Sequence, residues 1–371
     1  MVYQKPIRVL HVFSRMDRGG AETMIMNLYR NIDRENVQFD FVVHTQDTCA
    51  YDKEILKLGG IIYHAPYIKL KYLISYLKWW VVFFDTNTSY AVIHSHLRSV
   101  AIIYILIAKM KKIPTIIHSH STSSGSGAKA IIKNLLQFPL RYIADYLFAC
   151  SLNSGEWLFG KRACKKNNFY ILKNAIDTTL FEFSEIRRAE LRNILQIDQC
   201  LVVGHVGRLI EAKNHTFLLR IFKKIQLEYP NSLLLIIGDG QLKEQITKEV
   251  KRLNLTHSVR LLGTREDIRD LLQVMDIMIF PSLWEGFPVT LIEAQTSGLK
   301  CFVSDCISSD VKVTDLIYYL PLNESADFWC TNILQHKDYR RKSMTDFVQN
   351  SGFDINETSK WLENFYISIS S

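Results

Sequence analysis

The chain has 371 residues, which is enough for two domains of ordinary size. Hydrophobic residues make up 48% of it, and 45 Lys and Arg against 37 Asp and Glu give a formal net charge of +8. This composition excludes a largely disordered chain, and the basic balance suits an anionic partner such as a membrane surface or a phosphorylated ligand. A nucleic-acid partner is not expected, because the sequence contains neither a dense basic stripe nor a nucleic-acid reading motif.

The seven cysteines are scattered, with no CxxC pair and no Cys/His spacing typical of zinc sites. We interpret them as reduced thiols, which predicts a cytoplasmic protein. Residues 70–84 are too few for the ~20 apolar positions of a membrane span, and Lys71 and Lys78 interrupt them. They predict either a buried helix, which is the commoner case, or an aromatic and basic helix that lies on a membrane surface.

In both halves of the chain, apolar runs alternate with amphipathic stretches. The first half predicts, in chain order, strand 8–13, helix 21–31, strand 39–44, helix 51–58, strand 61–64, strand 91–94, helix 98–110, strand 115–118, a Ser/Gly-rich loop at 119–127 and strand 146–150. The second half predicts strand 201–206, helix 214–228, strand 233–237, a turn at 238–240, helix 241–253, strand 259–262, helix 266–274, strand 276–280, helix 288–297, strand 300–304 and helix 358–369. Asn214 is a predicted N-cap, and Pro288 is a predicted first-turn residue.

Strands that alternate with helices indicate parallel β-α-β units, so the predicted fold class is α/β with two Rossmann-like, doubly wound domains. We expect a first domain at residues 1–180, a second at 181–355, and a helix at 356–371 that packs back on the first domain. Ligands of open α/β sheets bind outside the carboxyl ends of the strands. A cleft between the two domains is therefore the expected site.

In the first domain, Gly19 and Gly20 separate a strand from a helix. They allow a ligand to approach the backbone at a helix N-terminus, although a tight turn without a ligand fits equally well. Two His-Ser-His segments, 94–96 and 118–120, end strands of the same domain, and each histidine is either a site residue or a buried, hydrogen-bonded one. Without cysteine ligands nearby, a metal site is not favoured.

In the second domain, the segment 207–214 lies between a strand and a helix and holds Arg208 and Lys213. A guanidinium and an ammonium on one loop suit a diphosphate, and the alternative is a pair of solvated surface charges. Glu285 and Glu293 are eight residues apart, so both carboxylates can face one site and accept hydrogen bonds from sugar hydroxyls. Each of them alone is also explained as a favourable charge near a helix N-terminus.

Taken together, these features resemble retaining glycosyltransferase family 4, whose two-Rossmann architecture is called GT-B. The resemblance covers nearly the whole chain, in the segments RVLHVFSRMDRGGAE, NAIDTTLF, GHVGRLIEAKN, IGDG and PSLWEGFPVTLIEAQTSGLKCFVSD. Glu285 and Glu293 meet the E-x7-E pattern of the family, and the His-Ser-His segment is common in its bacterial exopolysaccharide and capsule enzymes. Ala175 departs from the family, which usually has Gly at that position.

The resemblance implies a role for each candidate residue. Arg208 and Lys213 would hold the diphosphate of a nucleotide-sugar donor. Glu293 would bind the ribose, and Glu285 would contact the transferred sugar. The remaining donor contacts that the family implies are Gly286, Phe287 and Pro288 beside the sugar, Gly20 beside the phosphates, Thr264 and Arg265 beside the base, and His120, with His118 as the fallback, beside the sugar. The catalytic set would be His120, Glu285, Arg208 and Lys213.

The resemblance also implies the reaction. A hexose-type sugar would pass with retention from a nucleotide-sugar, expected to be a UDP-sugar, to a saccharide acceptor that is expected to be lipid-linked. No metal or other cofactor is expected, because no DxD-like motif stands where one would be needed and cationic side chains can stabilise the leaving diphosphate. The expected location is the cytoplasm, with peripheral contact at the inner face of the cell membrane.

Three alternatives stay open. A nucleotide-sugar epimerase of similar fold would use the same diphosphate contacts without an acceptor, and a non-catalytic nucleotide-sugar binding protein would transfer nothing. An NAD(P) oxidoreductase is disfavoured, because the G-x-G-x-x-G fingerprint of dinucleotide sites is missing.

Overall fold

The computed structural model describes residues 5–66, 72–121 and 127–370. The chain forms two compact units, one made of Met1–Ile176 with Gly352–Ser371 and the other of Asp177–Ser351. Residues 122–126 of the predicted Ser/Gly-rich loop lie outside the described residues, as do Leu70 and Lys71 of the predicted helix 70–84.

The first unit consists of parallel strands connected by helices. Its strands are β1 (Ile7–Phe13), β2 (Val37–Val43), β3 (Ile62–His64), β4 (Tyr90–Ser95), β5 (Thr115–Ser119), β6 (Tyr146–Ala149) and β7 (Phe169–Ile171). Its helices are α1 (Gly20–Asn31), α2 (Asp52–Lys57), α3 (Leu73–Thr86), α4 (Ala101–Met110), α5 (Ala128–Gln137), α6 (Leu140–Ile143), α7 (Leu152–Phe159) and, from the end of the chain, α15 (Ile355–Ile369).

Within the described residues, the strands of this unit form one sheet in the order β3-β2-β1-β4-β5-β6-β7. Apolar residues of α1, α2 and α15 pack on one face of the sheet, and those of α3, α4, α6 and α7 pack on the other. Because helices cover both faces, the inner strands are buried along their length, as β2 is. The strand order reverses between β1 and β4, which makes this pair the switch point of the sheet.

The second unit repeats this architecture. Its strands are β8 (Leu201–Val206), β9 (Ser232–Ile237), β10 (Val259–Gly263), β11 (Ile277–Phe280), β12 (Lys300–Ser304) and β13 (Ile317–Leu320). Its helices are α8 (Glu185–Leu195), α9 (His215–Glu228), α10 (Lys243–Arg252), α11 (Ile268–Val274), α12 (Val289–Thr296), α13 (Ala326–Gln335) and α14 (Thr345–Val348). The sheet order is β10-β9-β8-β11-β12-β13, with its switch point between β8 and β11. Helices α9, α10 and α13 cover one face, and α11 and α12 cover the other.

The two parallel sheets confirm the predicted α/β class, but two local predictions are wrong in detail. The predicted helix 98–110 begins only at Ala101, because the preceding residues form a turn in which the Ala101 N–H donates to the Arg98 carbonyl. Asn214 is the N-cap residue of α9, as predicted, although its backbone is left-handed, with a φ of 53°, and its side chain makes no capping hydrogen bond. Pro288 occupies the N-cap of α12 rather than its first turn.

For the described part of residues 70–84, the structure agrees with the buried-helix interpretation on one face of the helix. One face of α3 is buried and carries Tyr76, Trp80, Phe83 and Phe84. This face therefore belongs to the core, and Trp80 is unavailable to a membrane surface. The opposite face is exposed, with Ile74 71% and Val82 59% accessible. Among the described helices, none has the length and apolarity to cross a bilayer.

Candidate active site

Most predicted site residues follow β-strands at the carboxyl edges of the two sheets. In the second unit, the loop after β8 and the loop after β11 flank the switch point. In the first unit, residues after β1 and β4 do the same, and those after β5 lie one strand further along the sheet. Switch points are where the loops of an open sheet separate and leave space for a ligand.

Glycines shape the loop after β8. A Cβ on Gly207 would lie 2.9 Å from the Cε of Lys213, so the lysine stem packs directly over this glycine. Gly238, with a φ of 134°, adopts a conformation that suits only glycine, and a Cβ there would overlap the carbonyl oxygen of Gly207. The Leu209 N–H donates to the Asp239 carbonyl at 3.0 Å, which holds the two loops together. The GDG turn thus supports the loop that carries Arg208 and Lys213.

Lys213 and Glu285 form a close ion pair at the switch point. The Lys213 Nζ lies 2.6 Å from the Glu285 Oε1, and the two side chains are only 13% and 14% accessible. The ammonium also lies 4.5 Å from the ring centroid of Phe280. Desolvation lowers the pKa of Lys213, while Glu285 opposes this effect. Because the pair is largely desolvated, the interaction of its ammonium with any nearby anion is only weakly screened, and Glu285 opposes it.

Arg208 is exposed, and its guanidinium makes no hydrogen bond or ion pair with the described residues. It nevertheless lies close to Lys213, since its charge contributes to lowering the pKa of that lysine. Two cations on one loop, with one of them unpaired, leave an excess positive charge beside β8. Such a charge attracts a diphosphate.

Glu293 lies within the first turns of α12, and its carboxyl is largely buried. It has no hydrogen-bond or ion-pair partner among the described residues. Burial raises the pKa of Glu293 to about 7. A desolvated carboxyl without a partner is costly to keep, and it can be satisfied by the hydroxyls of a ligand.

The other predicted donor contacts of the second unit lie in loops at the same carboxyl edge. Thr264 and Arg265 follow β10 and are exposed, and Arg265 donates to Asp267 at 2.6 and 2.8 Å. Gly286 is exposed, whereas Pro288 is buried. Phe287 is partly buried against the core that contains α11 and α12.

In the first unit, Gly20 is the first residue of α1. No atom lies within 4 Å of the position that a Cβ would take on Gly20, so the space beside this helix end is open. No side chain caps the helix at Gly19, and Glu22 is the acidic residue of its first turn. The Glu22 carboxylate lies against Gly19, so an anion bound beside Gly20 would share the positive end of this helix with Glu22.

His120 is the end of a chain of three hydrogen-bonded imidazoles. The Nδ1 of His11, on β1, lies 3.1 Å from the Nε2 of His96, and the Nδ1 of His96 lies 2.8 Å from the Nε2 of His120. Desolvation lowers the pKa of His11 and of His120 to about 3, so both rings are neutral near pH 7. A neutral imidazole has one donor and one acceptor nitrogen, so both contacts are satisfied only when all three rings point the same way. The tautomer of His120 is therefore coupled to the tautomers of His96 and His11.

A second chain runs beside the first. Tyr366, on α15, lies 2.6 Å from the Nδ1 of His94, whose Nε2 lies 3.1 Å from the Nδ1 of His118. His118, the fallback for His120, is fully buried, and its ring centroid is 3.9 Å from that of His120. Sequence reasoning missed His11 and Tyr366, because His11 lies among the apolar residues of β1 and Tyr366 is one of several aromatic residues of the amphipathic α15.

Among the described residues, two overlapping histidine triads have the geometry to approach a metal ion. Within each triad the nitrogen atoms lie within 4.8 Å of one another, and the triads are His11, His94 and His96, and His96, His118 and His120. Imidazole ligands suit Zn²⁺ and other transition metals. The hydrogen bonds along the two chains already use most of these nitrogens, and the charge of Arg98 acts on His120. Both features disfavour a cation here.

Comparisons with known proteins agree with this architecture. A family model for Glycosyltransferase Family 4 matches residues 18–180, and a model for Glycosyl transferases group 1 matches residues 187–315. EpsF of Bacillus subtilis (strain 168), named as a glycosyltransferase, is 35% identical over 368 residues, which cover 97% of this chain and 96% of that protein.

Two further proteins are similar at lower sequence identity. The UDP-Gal:alpha-D-GlcNAc-diphosphoundecaprenol alpha-1,3-galactosyltransferase of Escherichia coli is 25% identical over 301 residues, or 76% of each chain. The crystal structure of Anabaena Alr3699/HepE in complex with UDP superposes with a TM-score of 0.78 at 18% identity, and covers 97% of this chain and 100% of that one. The chain therefore belongs to the glycosyltransferases that combine a family 4 domain with a group 1 domain, and its fold is GT-B.

Proposed function

We propose that the protein transfers a hexose-type sugar from a UDP-sugar to a lipid-linked saccharide, with retention and without a metal, in the synthesis of a bacterial surface polysaccharide. The observation that carries this proposal is the switch point of the second sheet. Two cations, Arg208 and Lys213, lie there on one loop, and the unpartnered carboxyl of Glu293 lies on the helix after β11. A sugar nucleotide needs both features, one for its diphosphate and one for its hydroxyls.

In this proposal the charges act on the leaving group. The bond between the anomeric carbon and the diphosphate oxygen breaks while the acceptor oxygen bonds on the same face of the sugar, and the acceptor proton passes to the diphosphate. Arg208 and Lys213 stabilise the charge that develops on the diphosphate, which replaces the metal that other transferases use. Glu285 accepts from a sugar hydroxyl, and its ion pair keeps Lys213 oriented.

The remaining predicted contacts keep the roles that the family resemblance implies. Gly20 lies beside the phosphates, His120 beside the sugar, and Thr264 and Arg265 beside the base. The choice of UDP over GDP is supported by two similar proteins, since the Escherichia coli relative is named for UDP-Gal and the Anabaena structure contains UDP.

A lipid-linked acceptor is supported by that same relative, whose name specifies a diphosphoundecaprenol substrate. It is also supported by an exposed apolar surface on the first unit. Helix α4 contacts both α3 and α5, and α5 exposes Ile131, Ile132, Leu135 and Leu136 beside Lys133. An apolar face with basic residues suits the inner surface of an anionic membrane.

Replacing Leu135 with Glu is expected to lower the partition of the protein onto phosphatidylglycerol vesicles by about tenfold or more, because an apolar contact is lost and a like charge is added. Leu227→Glu is the matched control, since Leu227 is a similarly exposed leucine on α9 in the other unit. Co-sedimentation measures both. Equal binding of the Leu135 variant and the unmodified protein would remove this surface from the proposal.

His96→Phe is expected to lower the transfer rate by about 10- to 100-fold, because His120 loses the partner that sets its tautomer. The phenyl ring of the variant keeps the stacking on Phe13, whose ring centroid lies 4.1 Å from the ring centroid of His96. Nitrogen NMR should show one His120 tautomer in the unmodified protein and a mixture in the variant, whereas His64→Phe, at an exposed site, should change neither. A variant with an unchanged rate and one His120 tautomer would rule this coupling out.

The reaction itself is tested with UDP-glucose, UDP-galactose and their N-acetylated forms, a lipid-diphosphate-linked N-acetylglucosamine acceptor, and EDTA. The proposal predicts a lengthened acceptor whose new linkage keeps the α configuration of the donor. An epimerised donor in the absence of acceptor would favour the epimerase instead, and a β linkage would contradict retention.

A further inference from the structure

We infer that Arg98 forms an anion subsite in the first unit that binds the diphosphate of the lipid-linked acceptor. This inference rests on the proposed function for the identity of the ligand. It assigns a binding role to a residue that the family motifs leave without one.

The position of Arg98 is the first argument. It lies in the loop between β4 and α4, at the carboxyl edge of the sheet and next to the switch point between β1 and β4. Its guanidinium carbon lies 4.7 Å from the ring centroid of Trp157, on α7, which fixes the plane of the guanidinium. The side chain is thus held in place at the edge where ligands of such sheets bind.

The second argument is that this arginine has an unused donor. Its Nη1 is buried and has no hydrogen-bond partner, and no described carboxylate lies within ion-pair distance of it. Burying a guanidinium N–H without an acceptor is unfavourable, whereas an oxyanion would satisfy it in the fork geometry that arginine favours. Arg30 and Arg141 also lie over rings in this unit, but the guanidinium of each has an acceptor: Arg30 donates to Glu54 at 2.6 and 2.8 Å, and Arg141, whose Nε has no partner among the described residues, donates to the Leu158 carbonyl at 2.8 Å.

One neighbouring feature has the same electrostatic preference, and a second can donate to the same anion in one of its two tautomers. Helix α4 begins three residues after Arg98, with no side-chain cap at Val100 and no acidic residue in its first turn. Its N-terminus therefore keeps its positive end uncompensated. The Nδ1 of His120 is also buried without a partner among the described residues, and the charge of Arg98 contributes to lowering the pKa of His120, which places the two groups near each other.

These groups suit a phosphate better than a metal or a carboxylic acid side chain. The arginine repels a cation from the histidines, and its fork matches two oxygens of one phosphate group. The uncapped end of α4 adds backbone donors to the same edge. On the proposed function, the donor diphosphate is bound by Arg208 and Lys213 and approaches Gly20 after β1, so the phosphate assigned to Arg98, after β4, is that of the acceptor.

The test measures binding of farnesyl diphosphate, a soluble lipid diphosphate, to the full chain saturated with UDP, so that the donor site is already filled. Arg98→Gln is expected to weaken this binding by about tenfold or more, because one charge-assisted contact is lost, and to leave the Kd of UDP unchanged. The affinity of Arg98→Lys for farnesyl diphosphate should lie between that of the unmodified protein and that of Arg98→Gln. Arg34→Gln is the control, since Arg34 precedes β2 at the opposite, amino edge of the same sheet and should change nothing.

Equal farnesyl diphosphate affinity in Arg98→Gln and the unmodified protein would overturn the inference, and so would binding of farnesol as tight as that of its diphosphate. A parallel loss of UDP affinity would assign Arg98 to the donor site instead. Thermal melting of each variant separates these results from misfolding. If UDP itself fails to bind the unmodified protein, the proposed function fails. Comparing the farnesyl diphosphate affinities of Arg98→Gln and the unmodified protein would then still decide whether Arg98 binds a diphosphate.

Discussion

Replacing Lys213 with Met is expected to lower kcat/KM for the sugar donor by about 10²- to 10³-fold, which is the usual cost of removing one preorganised group that stabilises a developing negative charge. The methionine keeps the apolar stem that packs over Gly207. Initial rates with saturating acceptor measure the effect. Lys243→Met, at an exposed and ion-paired lysine after β9, is the matched control and should change the rate little.

The same substitution separates catalysis from stability. Without Lys213, the carboxylate of Glu285 is left poorly solvated, at a cost of about 1–3 kcal/mol in the free energy of unfolding. Adding Glu285→Gln removes that unpaired charge, so the double variant should regain most of the stability and none of the activity. If the double variant recovers both, Lys213 acts through folding and not on the donor.

Replacing Glu293 with Gln is expected to weaken UDP-sugar binding by about 10- to 100-fold, because a carboxylate accepts from two ribose hydroxyls more strongly than an amide does. The pKa of about 7 adds a pH signature. A carboxyl with this pKa changes from about a tenth to about nine tenths ionised between pH 6 and pH 8, so affinity should rise by about tenfold over that range. A UDP-sugar is the right probe, since its diphosphate does not titrate there.

The Gln variant should bind with the same weak affinity at pH 6 and at pH 8. Glu211→Gln, on the loop of Lys213, is the control for a general charge effect and should keep the pH dependence of the unmodified protein. Calorimetric titration at three pH values distinguishes these cases. A flat profile in the unmodified protein would mean that Glu293 does not bind the ribose as a carboxylate.

Glu293 also makes a prediction about stability. The pKa of Glu293 in the folded state lies above the unfolded value of 4.5, so as pH rises the folded protein keeps this proton to a higher pH than the unfolded chain does. The free energy of unfolding therefore falls as pH rises from about 4.5 to about 7, by up to about 3 kcal/mol from this group, and is constant above that range. Glu293→Gln should remove this loss and melt at a higher temperature than the unmodified protein at pH 8, even though it binds the donor less well.

Much of the fold could be predicted because periodicity reports local structure. Strands such as β8 and β12 are bounded apolar runs between turn signals, and their bounds match the prediction. The strands β7 and β13 were not predicted, and they lie at the edges of their sheets. Length alone does not explain this, because β6 and β11 are equally short and were predicted; those two lie inside their sheets and are mostly buried. Helix α3 is apolar on both faces, so its sequence could not show which face would be buried.

The site could be predicted only in part. Arg208, Lys213 and the two glutamates were accessible to prediction because each lies in a recognisable loop or helix start. The ion pair of Lys213 with Glu285 joins residues 72 positions apart, and no local pattern encodes such a contact. The link from His11 to His96 joins residues 85 positions apart, and it depends on β1 and β4 being neighbours in the sheet. The unpaired state of Glu293 and Arg98 depends on what surrounds them, which the sequence does not show.

The most direct measurement is thermal stabilisation of the full chain by UDP, GDP, NAD and their sugar derivatives, with and without EDTA, alongside the Lys213→Met and Glu293→Gln variants. We expect UDP and UDP-sugars to raise the melting temperature, EDTA to leave that shift unchanged, and both variants to lose most of it. No shift with any nucleotide in a well-folded sample, or a UDP shift that appears only with a divalent metal, would contradict the donor site described here.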